Sequence, residues 1–138
     1  MMNAVATGLF NIMKANVALM TAIGGVVGNG WKLYHVVAPQ DAILPYITFG
    51  MLTDIPLGVF KNLTAIEDST WWFNCFSTTG SKDVGDILKA LTDVLDNASL
   101  TVAPYTSMVC AREFTGNILF DIDLNTFQIP TRYRIRIT

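Results

Sequence analysis

Few side chains in this 138-residue chain could carry out chemistry, and they are widely spaced. His35 is the single histidine, and no serine or cysteine lies in a recognisable nucleophile motif. A zinc site needs several nitrogen or sulfur ligands, which His35 and two separated cysteines, Cys75 and Cys110, do not supply. The sequence therefore predicts a protein that is not an enzyme and has no catalytic residues, no metal site and no cofactor.

The carboxylates and thiols have simple structural explanations. Asp121 and Asp123, like the adjacent Glu67 and Asp68, could bind a hard cation as a pair, but no calcium-loop pattern follows Asp121, so we interpret these carboxylates as solvated strand or loop residues. Cys75 and Cys110 lie in apolar, strand-like stretches. We expect both cysteines to be small buried thiols rather than part of a disulfide framework.

The arginines form the one pattern with a functional interpretation. No arginine precedes Arg112, and the last eight residues, 131–138, carry Arg132, Arg134 and Arg136 at every second position. This alternation predicts a strand with three guanidinium groups on one face. They could bind phosphate or the carboxylates of a neighbouring subunit. Alternatively, the arginines form a solvated face whose like charges discourage pairing with the edge of another sheet. We favour this alternative, or a contact with a neighbouring subunit, over DNA binding.

Composition indicates that part of the surface is covered by another molecule. Hydrophobic residues make up 51% of the chain and charged residues only 14%. In typical soluble domains about a quarter of the residues are charged. We therefore expect a partner subunit or a membrane to cover some of the surface. A formal net charge of −2 argues against nucleic-acid binding by bulk electrostatics.

The elements that must position these side chains centre on residues 70–97. The run TWWFNCFS at 70–77 predicts a strand whose side chains alternate between two faces. The face that we expect to join the core carries Trp71, Phe73 and Cys75, and the opposite face carries Trp72, Asn74 and Phe76.

An amphipathic helix is predicted directly after this strand, at 82–96, with Ser81 as its N-cap and Asn97 at its end. Its apolar residues recur at helical spacing and form one stripe, which we expect to cover the strand and to bury Leu88 and Leu91. The stripe consists of Val84, Ile87, Leu88, Leu91, Val94 and Leu95.

The N-terminal residues 3–23 have helical periodicity, in two pieces with Asn16 as the cap of the second. Asn11, Lys14 and Asn16 interrupt the apolar run, which argues against a membrane span. The glycine-rich run at 24–30 is preceded by a helix and followed by a strand. A phosphate-binding loop requires the reverse order, so we expect a connector.

The remaining patterns predict a single domain, residues 1–138, of α+β class. Its mostly antiparallel β-sheet is packed by an N-terminal helix and the central amphipathic helix (82–96). Segment 54–69 has no regular spacing of apolar residues, so we predict a long loop or arm there. Residues 118–130 could form either a further strand or an extended loop. The other predicted strands are 32–37, 43–50, 100–103, 108–114 and 131–138.

The run VAPQDAILPYITFG at 37–50 resembles a pattern of the tail terminator (tail completion) proteins of tailed phages. In that family a strand ends at a proline, a short polar loop follows, and a Leu-Pro-Tyr step enters a strand that ends at glycine. Other similar features occur in the family's order. These are the N-terminal helix followed by AIGG (22–25), the strand that leads through Gly80 into the helix, and the closing strand with arginines.

This resemblance implies a structural virion protein of the tail or neck, assembled in the host cytoplasm, without chemistry or cofactor. It implies a homo-oligomer, a hexameric ring that caps the tail tube, ends its elongation and presents a surface for head joining. Its partners would be the tail tube protein and the head–tail connector protein, with DNA in the ring lumen contacted without sequence specificity and no membrane.

Five residues are candidates for the subunit interface: Trp72, Phe76, Arg132, Arg134 and Arg136. The two aromatic residues would act as interface anchors, although packing beneath the N-terminal helix is an open alternative. Two other functions also stay open. One is a head-completion or neck connector protein of the head–tail interface, and the other is a peripheral membrane protein.

Overall fold

A computed structural model describes residues 2–24, 32–59, 62–96, 98 and 108–137. It confirms the α+β class, with a mixed, mostly antiparallel sheet and helices on one of its faces. In chain order the elements are α1 (Met2–Lys14), α2 (Val17–Ile23), β1 (Leu33–His35), β2 (Tyr46–Val59), β3 (Asn62–Ser77), α3 (Ser81–Leu95), β4 (Met108–Thr115), β5 (Leu119–Asp121) and β6 (Thr126–Ile137).

The described strands form one sheet in the order β1-β2-β3-β6-β4, and β5 pairs with the first residues of β6. β1 runs parallel to β2, and every other neighbouring pair is antiparallel. β3 and β6 are the central strands, and they pair from Glu67↔Ile137 to Ser77↔Phe127. The aromatic strand and the arginine strand of the sequence analysis are therefore direct neighbours.

The core lies between the sheet and the three helices. As predicted, Trp71, Phe73 and Cys75 on β3 are fully buried. The apolar stripe of α3 covers them, with Leu91 fully buried, whereas Leu88 is only partly buried at the edge of the core, so the expectation for Leu88 was too strong. The helix side of β6 completes the core with Ile129, Tyr133, Ile135 and Ile137.

The helix ends agree only in part with the predicted caps. Asn16 caps α2 as expected, because its Oδ1 accepts a hydrogen bond from the Leu19 amide at 2.9 Å. Ser81 was wrongly predicted as an N-cap: it is the first residue of α3, and Gly80 occupies the cap position without a side-chain hydrogen bond. The Ser77 hydroxyl instead donates to Asp83 in the first turn, which ties the end of β3 to the helix.

The C-terminal end of α3 is held by a carboxylate network. Asp96 is its C-cap residue, a position where the helix dipole disfavours negative charge. Two groups offset this: the Tyr133 hydroxyl donates to Asp96 Oδ1 at 2.7 Å, and the Arg112 guanidinium lies 3.3 Å from Oδ2. Burial, reinforced by Asp96, raises the pKa of Tyr133, so the phenol stays protonated and keeps donating.

The described residues of segment 54–69 form two paired β-strands, not the loop predicted as one alternative. Its residues extend β2 and β3, which pair as far as Val59↔Asn62. The final β6 partner of β3 is Ile137, opposite Glu67. Residues 57–59 and 62–66, which we call the arm, therefore continue beyond the sheet as two strands.

Other strand limits also differ from the predictions. β6 begins at Thr126 rather than at 131, and β5 pairs beside its start, so 118–130 is a short hairpin. β1 is shorter than the predicted 32–37 strand. The connector predicted at 24–30, apart from its first glycine, and the strand predicted at 100–103 lie outside the described residues.

No single helix among the described residues is long and apolar enough to cross a membrane. Residues 3–14 and 17–23 pass the same length and composition test only as a pair, bent by 83°. The apolar stripes of these two helices, including Val5, Leu9 and Leu19, are buried in the core.

Candidate functional site

The face of the sheet opposite the helices, which we call the open face, carries all five predicted interface residues. Trp72 and Phe76 alternate with the core residues of β3, and Arg132 is the cross-strand partner of Trp72. Arg134 and Arg136 follow on the same face of β6. Trp72, Phe76 and Arg132 are half-buried, and the other two arginines are exposed.

Trp72 is held against the backbone of β2. Gly50 is its cross-strand partner, and a Cβ atom built on Gly50 would lie 2.7 Å from the indole Cζ2 of Trp72. The indole therefore lies directly on the glycine, in space that no other residue type leaves free. The helix-side core cluster contains Trp71 but not Trp72, so the alternative of packing beneath the N-terminal helix is not observed for Trp72.

Phe76 belongs to an aromatic group at the end of the open face. Its ring centroid lies 5.1 Å from that of Tyr46, which in turn lies 5.7 Å from Tyr34 in an edge-to-face arrangement. These separations are typical of stabilising aromatic pairs. Burial, with a smaller contribution from Tyr34, raises the pKa of Tyr46.

Arg134 and Arg136 converge on the carboxylate of Asp68, which was wrongly interpreted from the sequence as a solvated residue. Arg134 Nε donates to both oxygens of Asp68 at 2.9 Å, and its Nη2 also donates to Oδ2. Arg136 donates to Asp68 Oδ2 at 3.1 Å. Asp68 is only 8% exposed, and hydrogen bonds from Arg134, then Arg136, lower its pKa to about 2 despite desolvation.

The third arginine of the row has an aromatic partner. The guanidinium carbon of Arg132 lies 4.7 Å from the ring centroid of Phe114 on β4, which is cation–π geometry. All three guanidinium groups are thus engaged within the chain, two by Asp68 and one by Phe114. This arrangement offsets the repulsion between neighbouring arginines and leaves less of their charge for a phosphate ligand.

We expect the ion pairs of Asp68 with Arg134 and Arg136 to make the free energy of unfolding vary with pH in the acidic range. The pKa of Asp68 is about 2 in the folded state and about 3.9 in an unfolded chain. A depressed carboxyl pKa stabilises the fold above the unfolded value, and this contribution is lost as pH falls through the folded value. The free energy of unfolding of the wild type should therefore decrease between about pH 4 and pH 2.

The Asp68→Asn variant is the control for this titration. It should be less stable than the wild type at neutral pH, because two guanidinium groups lose their charged partner. The difference between the two proteins should shrink as the pH approaches 2. Denaturant midpoints that stay the same distance apart over this range would contradict the assignment.

A second group of exposed residues surrounds the β5–β6 hairpin. Ile122 and Leu124 at its turn are 80% and 70% exposed, and Leu119 is also exposed. Beside them Leu44 and Phe76 help to line a cavity of about 680 Å³. This apolar patch was not predicted, because the run NILFDIDL at 117–124 has no regular period, although its density of apolar residues was a usable signal.

The histidine and the two cysteines that were considered for chemistry pack against other side chains of the fold. The His35 ring packs on Phe49 and Trp71, with centroids 5.3 and 6.3 Å apart. Cys75 and Cys110 are unpaired and buried, as predicted, and burial raises the pKa of each thiol to about 12. Within the described ranges, no three His, Cys, Asp or Glu side chains form a group that could hold a metal ion.

Comparison with known proteins identifies a family and a fold. Residues 7–138 match the family model described as tail completion protein gp17. A search of curated proteins found no significant match. The chain is similar in fold to a protein chain in a solved structure that is described as the virion of a native gene transfer agent (GTA) particle. It has a TM-score of 0.75 at 14% identity, and the alignment covers 98% of this chain and 95% of that chain.

Proposed function

This chain belongs to the tail completion protein gp17 family, and we propose that it is the terminator of a phage tail: a hexameric ring that caps the finished tail tube. The family match over residues 7–138 is the observation that carries the proposal. A structural protein of tail completion acts through contacts with other proteins of the particle. Ending tube growth requires contact with the tail tube protein, and head joining requires contact with the head–tail connector.

The surface of the subunit supports a role in assembly. Exposed apolar side chains occur on the β5–β6 hairpin, at Ile55 on β2 and at Val109 on β4, which are separate parts of the surface. A ring subunit needs several such areas, because it contacts two neighbours and also a tube and a connector. Low charge content has the same explanation, since contact areas are depleted in charged residues.

The proposal involves no reaction and no cofactor. Cys75 and Cys110 are buried with raised pKa values, so neither is a reactive thiolate. DNA would pass through the lumen of the ring without sequence-specific contacts. Protein made in the host cytoplasm would be incorporated into the tail or neck of the virion and would remain there.

Deleting the gene for this protein from the genome that encodes the particle tests the proposal. Loss of a terminator should give tail tubes longer than those of the wild type and filled heads without tails, as seen by electron microscopy. Complementation with the wild-type chain should restore tail length. An image of the tail end of normal particles should show a six-fold ring at the head-proximal position.

Two other outcomes of the deletion would contradict the proposal. Tails of normal length together with leaking or tailless heads would identify a head-completion or neck connector protein instead. Normal particles, or particles from which this protein is absent, would exclude both functions.

A further inference from the structure

Two long strand edges of this chain lack a partner among the described residues. β1 pairs with β2 only as far as Phe49, so no described strand pairs with β2 from Gly50 onward on the side away from β3, and we call this its open edge. On the far side of the sheet, β6 is the one described strand that pairs with β4, so the outer edge of β4 is open as far as the described residues go. Open edges present unpaired amide and carbonyl groups and are ready positions for another strand.

The two open edges lie at the same height along the strands. A row of the sheet is the set of residues that lie side by side on neighbouring strands. Because the registers of β2–β3, β3–β6 and β6–β4 are known, each residue of β4 can be assigned to a row of β2. Three such rows are Gly50–Trp72–Arg132–Phe114, Thr53–Thr70–Arg134–Ala111 and Ile55–Asp68–Arg136–Val109.

The side chains on these rows suit direct pairing of the two edges. Ile55 and Val109 share a row and the open face, and each is 57% exposed. Thr53 and Ala111 share the next row on that face. An apolar pair beside a small-residue pair brings no like charges together, and such cross-strand pairs stabilise a sheet.

Each edge also has a bend. Leu52 is an extra residue in β2, between Met51 and Thr53, and Glu113 is an extra residue in β4, between Arg112 and Phe114. The two irregularities lie one row apart. Bulges bend an edge strand and discourage pairing with arbitrary strands, so the full edge is accessible only to a partner with a bend near the same row. Another copy of this chain is such a partner.

We propose that β4 of one subunit pairs with the Gly50–Ile55 edge of β2 in the next subunit, so that the sheet continues across the subunit boundary. This inference rests on the proposed function, because it names the contact that would join neighbours in the ring. The contact is heterologous: two different surfaces of the same chain meet, and repetition by rotation closes a ring.

The direction of the pairing follows from the topology. β2, β3, β6 and β4 alternate in direction, so β2 and β4 run in opposite directions within one chain. Rotation about an axis that runs roughly along the strands preserves the direction of each strand. The intersubunit pair is therefore antiparallel, and the equal height of the two edges lets it form without displacement of one subunit along the axis.

A disulfide between Ile55→Cys and Val109→Cys tests this contact. Within one chain these positions are separated by three strand spacings, about 14 Å, beyond the ~7 Å Cα separation that a disulfide permits. Tails carrying the double variant are purified, treated with a mild oxidant and alkylated. A non-reducing gel should then show a ladder of covalent oligomers that ends at the size of the ring.

The controls separate this contact from random oxidation. Each single variant should remain monomeric, and a mixture of the two single variants should give dimers but no larger species. The pair Asp54→Cys and Val109→Cys should not cross-link, because residue 54 points to the helix side. Tails that contain the double variant but give no ladder would overturn the edge pairing, while the tail-length result of the deletion would still decide the proposed function separately.

Discussion

Replacing Trp71 with alanine should lower the free energy of unfolding by about 3–5 kcal/mol, as expected for removal of a buried tryptophan. Its side chain is fully buried between the sheet and the helices. The indole N–H donates to Ser69 Oγ at 2.9 Å, and the Ser69 hydroxyl donates to the Ile135 carbonyl at 3.1 Å. The substitution therefore leaves a cavity and also breaks a buried hydrogen-bond chain that links β3 to β6.

Trp72→Ala is the matched control, because it removes the same side chain from the other face of the same strand. Trp72 is half-buried and lies on Gly50, so its loss should lower the free energy of unfolding by only about 1 kcal/mol. Urea unfolding measures the loss for each variant. The slope of the free energy of unfolding against urea concentration should be the same as in the wild type. Equal losses would contradict the different burial of the two faces of β3, and a larger loss for Trp72→Ala would mean that the faces have been assigned the wrong way round.

One-sided burial explains why the central strand and α3 were predictable from the sequence. When one face of a strand is in the core, apolar residues recur at every second position, as at Trp71, Phe73 and Cys75. The same constraint on a helix produces the stripe that contains Ile87 and Leu91. Burial at regular intervals is a physical requirement that a single sequence displays directly.

Where burial is not one-sided, the sequence is less informative. Residues 52–56 of β2 are exposed on both faces, so their apolar and polar residues do not alternate, and the strand was not predicted. The end of β2 is instead determined by its pairing with β3. β6 was predicted too short for a related reason, since its first residues are held by the short strand β5.

The arginine row shows a second limit of sequence analysis. Alternation was sufficient to place Arg132, Arg134 and Arg136 on one face. It could not identify Asp68 as the partner of two of them, because the pairing depends on the register of β3 against β6 across 66 and 68 residues of sequence. The single-face arrangement was therefore predictable, whereas the charge compensation was not.

Shortening the arm should stop tail completion while the subunit remains folded. The variant replaces 57–66 with an Asn-Gly turn, which suits a two-residue hairpin connection. In the described part of the chain the arm strands pair only with each other, and two strands without further support are marginally stable in water. The free energy of unfolding should therefore change by less than about 1 kcal/mol, whereas tails should show the defect of the full deletion.

Amide exchange in the isolated subunit tests the physical basis of this expectation. Amides of the arm should exchange rapidly, and those of β3 residues 67–77, which lie between β2 and β6, should be protected. In assembled tails the arm should become protected, because we expect a partner protein to cover it. Strong protection of the arm in the monomer would show that it needs no partner, and normal tails made with the shortened variant would show that completion does not use it.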